Sequence, residues 1–491
     1  MKNAMHRTRV AVRATAATAL LGMLGVAAAC NQDKLLTAPT PDVVLPGDIA
    51  SKAALPSAFA SAIGDFQLAY AGGYGAGSPL LDNNEGLAQM TAILTDELLD
   101  AETYNTRIEL DRRATTNING TTLQTFQVVQ QARATADLVA GRFREFDPKN
   151  PQGAEVQALA AFMYTMIAES YCNGVPTSRV LPDGTFEYGA PQTGTQLLNA
   201  AVAKFDSAIT VATAAGTAGS TALNLARIGK GRALIDLGNY AAAATAVAAV
   251  PSGFIYEIQH SETTGRQNNA FFAFNYLEAR FTIGEKEGIN GLPFVSLDDP
   301  RAPVFEAGAL FGDSYAYGFD GSTPLFFTTK YFDYKSPTPL AIGAEARLIE
   351  AEAALKAGDN GTFLLKLNQA RAAAPTYPAV PDIAAPPREN PAPLTAADVP
   401  ATLAGKIDLL FRERALTLFL TGHRVGDLRR LSYQYGRPTE SVWPTGPYQA
   451  DNPDKQGTNY DTGVNLPIPQ EEQNNPQFPG GQCINRTPGI T

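Results

Sequence analysis

Tryptophan, histidine and cysteine are nearly missing from this chain: one, three and three among 491 residues. With only His6, His260 and His423, a His-based zinc site has almost nothing to draw on. Trp443 is the only indole, so any site that stacks rings on a ligand must rely on Tyr and Phe. The chain has no Walker phosphate loop, no H-E-x-x-H zinc motif and no G-x-S-x-G nucleophile elbow. That removes the readable signatures of nucleotide, zinc-protease and serine-hydrolase chemistry. Excess positive charge is lacking too. The net charge is −10, and four of the cations (Lys2, Arg7, Arg9 and Arg13) fall at the extreme N-terminus. Nucleic acid and anionic membrane faces both demand clustered Lys and Arg, so neither is an expected partner.

What is present is globular in composition, 45% hydrophobic and 18% charged, and long enough for a large core. Residues 1–13 are basic and residues 14–29 are small, apolar and uncharged. This is the pattern of a secretory signal, and the run is shorter than the roughly 20 residues that span a bilayer. It ends Ala27-Ala28-Ala29-Cys30. Small residues ahead of a cysteine resemble a bacterial lipobox, in which Cys30 would be acylated, as by palmitate, and become the new N-terminus. Residues 30–50, rich in Pro, Thr and Asp, read as an extended tether. The expected organisation is therefore a signal at 1–29, a lipidated tether at 30–50 and one body at 51–491, anchored to a membrane without spanning it. Cys172 and Cys483 either pair in an exported protein or remain buried thiols; their spacing leaves both open.

Along the body, apolar periodicity predicts helices over 55–70, 121–146, 154–171 and 196–215. A further helix is expected over 86–99, ending in the acids Asp96, Glu97, Asp100 and Glu102. The expectation for these acids is a solvated helix end; calcium is the alternative, although the D-x-D-x-D-G spacing is missing. Residues 222–250 and 344–374 each read as a tetratricopeptide-like helix pair, with Ala and Gly where helices approach closely and Gly358-Asp359 at one turn. Residues 254–339 differ: many aromatics among Gly, Asn, Asp and Thr, with no lasting helical stripe. They read as an irregular, partly β insertion, the kind of segment that carries function. Residues 375–400 read as a Pro/Ala-rich surface excursion. The fold class is mainly α, a scaffold of helix pairs bearing loops and a little β on one face.

The most informative stretch is Ile407–Leu431. Ile407, Leu410, Phe411, Ala415, Leu418 and Phe419 form an apolar helical face, and Asp408 and Arg412 stand four apart on the other side. Gly422 is a natural stop. Glu413, Arg414, Leu418, Gly422, Arg424, Asp427, Leu428 and Arg430 match the pattern E-R-x-x-E-L-x-x-E-G-x-R-x-x-D-L-x-R. This resembles the C-terminal signature of the SusD/RagB outer-membrane lipoproteins, with Thr417 and Thr421 standing where that family usually has Glu. Further on, Pro467, Ile468, Pro469, Glu471, Asn475 and Pro476 resemble its P-I-P-x-x-E-x-x-x-N-P element.

The resemblance implies a lipid-anchored, cell-surface nutrient-binding protein, not an enzyme and without cofactor or metal. It would act as lid on a TonB-dependent (SusC-like) outer-membrane transporter and capture an oligosaccharide or peptide for import. The candidate ligand contacts are Asp96, Glu97, Tyr104, Tyr315, Tyr317, Phe319 and Tyr331. Glu413, Arg414, Gly422, Arg424, Asp427 and Arg430 are expected to form a structural clasp, reduced by the two missing glutamates. The rival readings are a surface or periplasmic glycosidase on a helical scaffold and a helical-repeat docking adaptor.

Overall fold

The computed structural model of the chain describes residues 46–75, 83–181, 185–382, 384–449, 452, 455 and 457–478. Cys30 and Cys483 lie outside them. Cys172 is buried and disulfide-bonded.

Helices dominate, as expected. Leu55–Ala71 is α1, Gly86–Leu94 α2, Asn105–Asp111 α3, Gly120–Phe146 α4, Pro151–Ser170 α5, Gly194–Ala214 α6, Ser220–Asp236 α7 and Tyr240–Val247 α8. Local chemistry sets several starts. The Asn119 side chain accepts from Thr121 N and Thr122 N at the head of α4. Pro151 begins α5, where a missing N–H costs nothing. A reciprocal capping box joins Thr193 and Gln196 at α6. Almost every residue of α5 is buried, because α4, α6 and α7 pack around it. Gly229 lets α7 come close to α6: a Cβ there would lie 2.2 Å from Phe205 Cζ.

The second helical group is α10 (Gly343–Ala357), α11 (Asn360–Ala373), α12 (Leu403–Thr417) and α13 (Arg424–Tyr433), with the short α9 (Ala307–Phe311) before it. The pairs α7/α8 and α10/α11 occupy the two stretches read as helix pairs. Each turns on a left-handed glycine, Gly238 (φ 75°) or Gly358 (φ 76°).

The strands form six two-stranded antiparallel ribbons among the described residues, including β1 (Gly73–Tyr74) with β2 (Asn83–Asn84), β4 (Val175–Pro176) with β7 (Pro191–Gln192) and β5 (Arg179–Val180) with β6 (Phe186–Glu187). Three matter for the site: β3 (Leu98–Asp100) with β9 (Phe281–Ile283), β8 (Ile255–Ile258) with β12 (Thr338–Ile342), and β10 (Val304–Glu306) with β11 (Phe326–Thr328). The insertion over 254–339 is thus irregular and partly β, as expected. The expected helix over 86–99 is corrected. It stops at Leu94, and Leu98–Asp100 pairs instead with a strand nearly two hundred residues later. A local helical pattern yielded to a distant strand partner.

Candidate functional site

The acids after α2 are not solvated. Asp96, Glu97, Asp100 and Glu102 are each at most 1% exposed, and each meets a partner from a distant segment. Asp96 accepts from Arg424 Nε at 2.6 Å and Nη2 at 2.7 Å. Glu97 Oε1 accepts from Leu420 N at 2.8 Å, and burial pushes its carboxyl up to about 8. Asp100 faces Lys455 at 3.5 Å, and Glu102 joins Arg107 and Arg280 at 2.5 and 2.6 Å. Among the described residues no group of His, Cys, Asp and Glu is arranged to hold a metal ion.

The signature stretch is a clasp of buried ion pairs. Arg414 and Arg430 both donate to Asp427, at 2.8 and 2.7 Å. Arg430 also reaches Glu352 and, at 3.3 Å, Asp236. Glu413 accepts from Arg301 and Arg371 at 2.7 and 2.6 Å. Desolvation alone would raise the Asp427 carboxyl, but Arg414 and Arg430 outweigh it and hold it below the usual range. Between α12 and α13 the chain reverses through Leu420 (φ 54°) and Gly422 (φ 71°). The clasp reaches further than expected. Thr417 Oγ1 accepts from Arg301, and Thr421 Oγ1 meets His423, so hydroxyls serve at the two positions where the family pattern has Glu. Arg232, paired with Glu169 at 2.5 Å, extends the network through His423. Asp408 takes as its partner Arg437, at 2.7 Å, rather than Arg412 four residues on.

Of the candidate ligand contacts, Asp96, Glu97 and Tyr331 are corrected by burial: none presents a surface. Tyr331 is 0% exposed, stacks on Phe271 at 4.6 Å and donates its hydroxyl to Leu420 O. Tyr104, Tyr315, Tyr317 and Phe319 are all about half exposed or more.

Two of these rings meet at a residue that sequence reading missed. The Arg280 guanidinium lies 4.4 Å from the Phe319 ring centroid and 5.2 Å from that of Tyr104. Arg107 adds a second cation over Tyr104 at 5.6 Å. Arg280 in turn donates to Glu102 at 2.6 Å and to Glu278 at 3.1 Å, while Tyr74 donates its hydroxyl to Glu278. The backbone here is held out of the common regions. A π-helical turn over Phe272–Leu277 leads into Ala279, which lies at φ 51°. This sends Glu278 and Arg280 to one place, and Phe319 N donates to Ala279 O at 2.8 Å to fix the ring beside them. Tyr315 packs on Phe311 at 5.6 Å, and Tyr317 bridges Pro324 in the same loop. A charged E-A-R triplet directly after an aromatic run was the only available signal for Arg280. Its meeting with Tyr104 is purely tertiary.

Residues 343–478 match the sequence model of the SusD family. Over this segment, a little over a quarter of its length, the chain is similar to the SusD/RagB family. The SusD segment takes in the α10/α11 pair, the clasp and the P-I-P element. Solved SusD-like structures share the fold across most of the chain. A SusD superfamily protein from Bacteroides vulgatus is 13% identical, with a TM-score of 0.55, covering 88% of this chain and 100% of its own. A SusD-like carbohydrate-binding protein from Bacteroides fragilis is 16% identical, with a TM-score of 0.60, covering 88% and 99%. A laminarin-binding SusD-like protein is 15% identical, with a TM-score of 0.59, covering 89% and 99%. At these identities the likeness is one of fold. No curated protein matches the sequence. Among the described residues no helix is long and apolar enough to cross a membrane.

Proposed function

We propose that this SusD-like chain is a glycan-capturing lipoprotein of the outer membrane. It would be anchored through Cys30 and serve as lid to a TonB-dependent transporter. The observation that carries the reading is the pair of half-exposed rings, Tyr104 and Phe319, held around Arg280. Sugars bind by laying their C–H faces on aromatic rings while nearby carboxylate, guanidinium or hydroxyl groups meet their hydroxyls. Glu278 and the Tyr74 hydroxyl stand where they could do that, and Tyr315 and Tyr317 extend the aromatic loop. Preset rings lose little freedom on binding, which favours affinity. The fold is shared with proteins described as carbohydrate-binding and laminarin-binding, which supports a glycan over a peptide.

Capture would be reversible and non-covalent. Glu102 and Glu278, the acids beside the two rings, are engaged by Arg280, which supports binding over glycosidic chemistry. The body at 51–491 would hang from the lipidated tether at 30–50 after removal of the signal at 1–29. The test is binding of the purified protein to a glycan panel, with Tyr104→Ala and Phe319→Ala. Each substitution should weaken binding by roughly five- to 150-fold, the scale of a lost stacking contact of about 1–3 kcal/mol. Turnover of a bound oligosaccharide would overturn capture in favour of a glycosidase.

A further inference from the structure

The Tyr104–Phe319 face holds two cations, and both are already matched. Arg280 uses Nη1 on Glu102 and Nε and Nη2 on Glu278. Arg107 is shared between Glu85 and Glu102. Glu102 is wholly buried, and Arg107 and Arg280 side chains are only 14% and 15% exposed, whereas Glu278 is 30% exposed. The network therefore holds three carboxylates against two guanidiniums, and its most exposed charge is a carboxylate.

The aromatic loop continues that sign. From residue 302 to 329 the sequence contains Glu306, Asp313 and Asp320 and no Lys or Arg. Glu306 and Asp313 are exposed, while Asp320, next to Phe319, is tied to Lys455 at 3.0 Å.

From this charge arrangement, and resting on the glycan reading above, we propose that the face selects uncharged glycans and rejects carboxylated or sulfated ones. A uronate approaching the rings would meet Glu278 before any unpaired donor. To reach Arg280 it would have to displace a guanidinium–carboxylate contact, the strongest kind of hydrogen bond in the site. An uncharged sugar meets no such opposition. Arg280 thus acts as a positioning residue: its charge is spent on holding two rings apart and in place, not on recognising an anion.

The test pairs neutral polysaccharides with carboxylated counterparts of the same linkage, so that shape is held constant. Laminarin and amylose would each be compared with their C6-oxidised forms, alongside polygalacturonate, in low-salt buffer. Affinity would be measured for the wild type, for Glu278→Gln and for Tyr104→Ala/Phe319→Ala. The expected result is that a neutral polymer binds, its oxidised form binds roughly three- to tenfold more weakly, and added salt narrows the gap. Glu278→Gln should narrow it too, with an unchanged melting temperature. Equal or tighter binding of an oxidised form or of polygalacturonate, lost in the ring double variant, would overturn the charge selection while leaving glycan capture standing. Neutral binding that survives unchanged in the ring double variant would overturn the assignment of this face, and the selection with it. Absence of binding to every polymer would overturn both.

Discussion

Tyr317 and Tyr331 are the same residue type, fourteen positions apart in one aromatic loop, and the fold uses them in opposite ways. Tyr331 is fully buried against Phe271, with its hydroxyl spent on Leu420 O; Tyr317 is 53% exposed. Tyr331→Ala should cost about 3–5 kcal/mol, the range for emptying a buried aromatic site. Tyr317→Ala should stay within about 0.5 kcal/mol. Urea unfolding of the two variants distinguishes them. Glu97 provides a pH-linked prediction. Its folded carboxyl titrates near 8, raised first by burial, against Leu420 N–H, with Asp96 raising it further and Arg424 and Lys330 opposing. Between about pH 4.3, where an unfolded Glu titrates, and about 8, the unfolded state has lost the proton and the folded state keeps it. The unfolded state then binds fewer protons, so this residue's contribution is fully present below about pH 4 and is lost as pH rises toward 8. Glu97→Gln should flatten the fall in stability between pH 5 and 8. An unchanged slope in urea titrations at those pH values would count against a protonated Glu97.

At the scale of elements, the α12–α13 reversal is tied down by charge as well as by the burial of Leu418, Phe419 and Leu420. Asp427 is shared by Arg414 and Arg430, and both cations are about as buried as the acid. Asp427→Asn keeps the size but leaves Arg414 without its carboxylate, a loss of about 3–5 kcal/mol for a broken buried pair. Because the folded Asp427 titrates below an unfolded aspartate, its contribution is present above about pH 4 and fades only in stronger acid. Chemical denaturation at pH 7 measures the variant's cost. The aromatic loop is an element of another kind. Its shape comes from the π-helical turn, the left-handed Ala279 and the β9 and β11 strands, which together set Arg280 between two rings.

For the whole molecule, the sharpest expectation concerns Cys30, which lies outside the described residues. Cys30→Ala should move the protein from the membrane fraction to the soluble fraction, with glycan binding retained, as fractionation and immunoblotting would show. Retention on membranes through detergent-free washing would count against a lipid anchor. A lid on a transporter should also co-purify with a large outer-membrane barrel after mild detergent extraction.

Helix positions, the two glycine-turned helix pairs and the family signature could all be read from the sequence, because they follow from spacing of three and four residues and from short motifs. The role of Glu413, Arg414, Arg424, Asp427 and Arg430 as a clasp was legible for the same reason: opposite charges beside a strongly apolar helix have to be paired. Their partners Arg301, Glu352, Asp236 and Asp96 were not, since each comes from a distant segment. Local pattern also misjudged the acids at 96–102, whose burial depends on a strand from the far side of the insertion. The exposed rings looked no different in sequence from Tyr331. Only the tertiary structure, by bringing Ala279–Arg280 against Tyr104 and Phe319, separated the rings that face water from those that fill the core. The sequence by itself determined the scaffold, because helical periodicity is local; the fold decided the face, because burial and charge pairing depend on residues far apart in the chain.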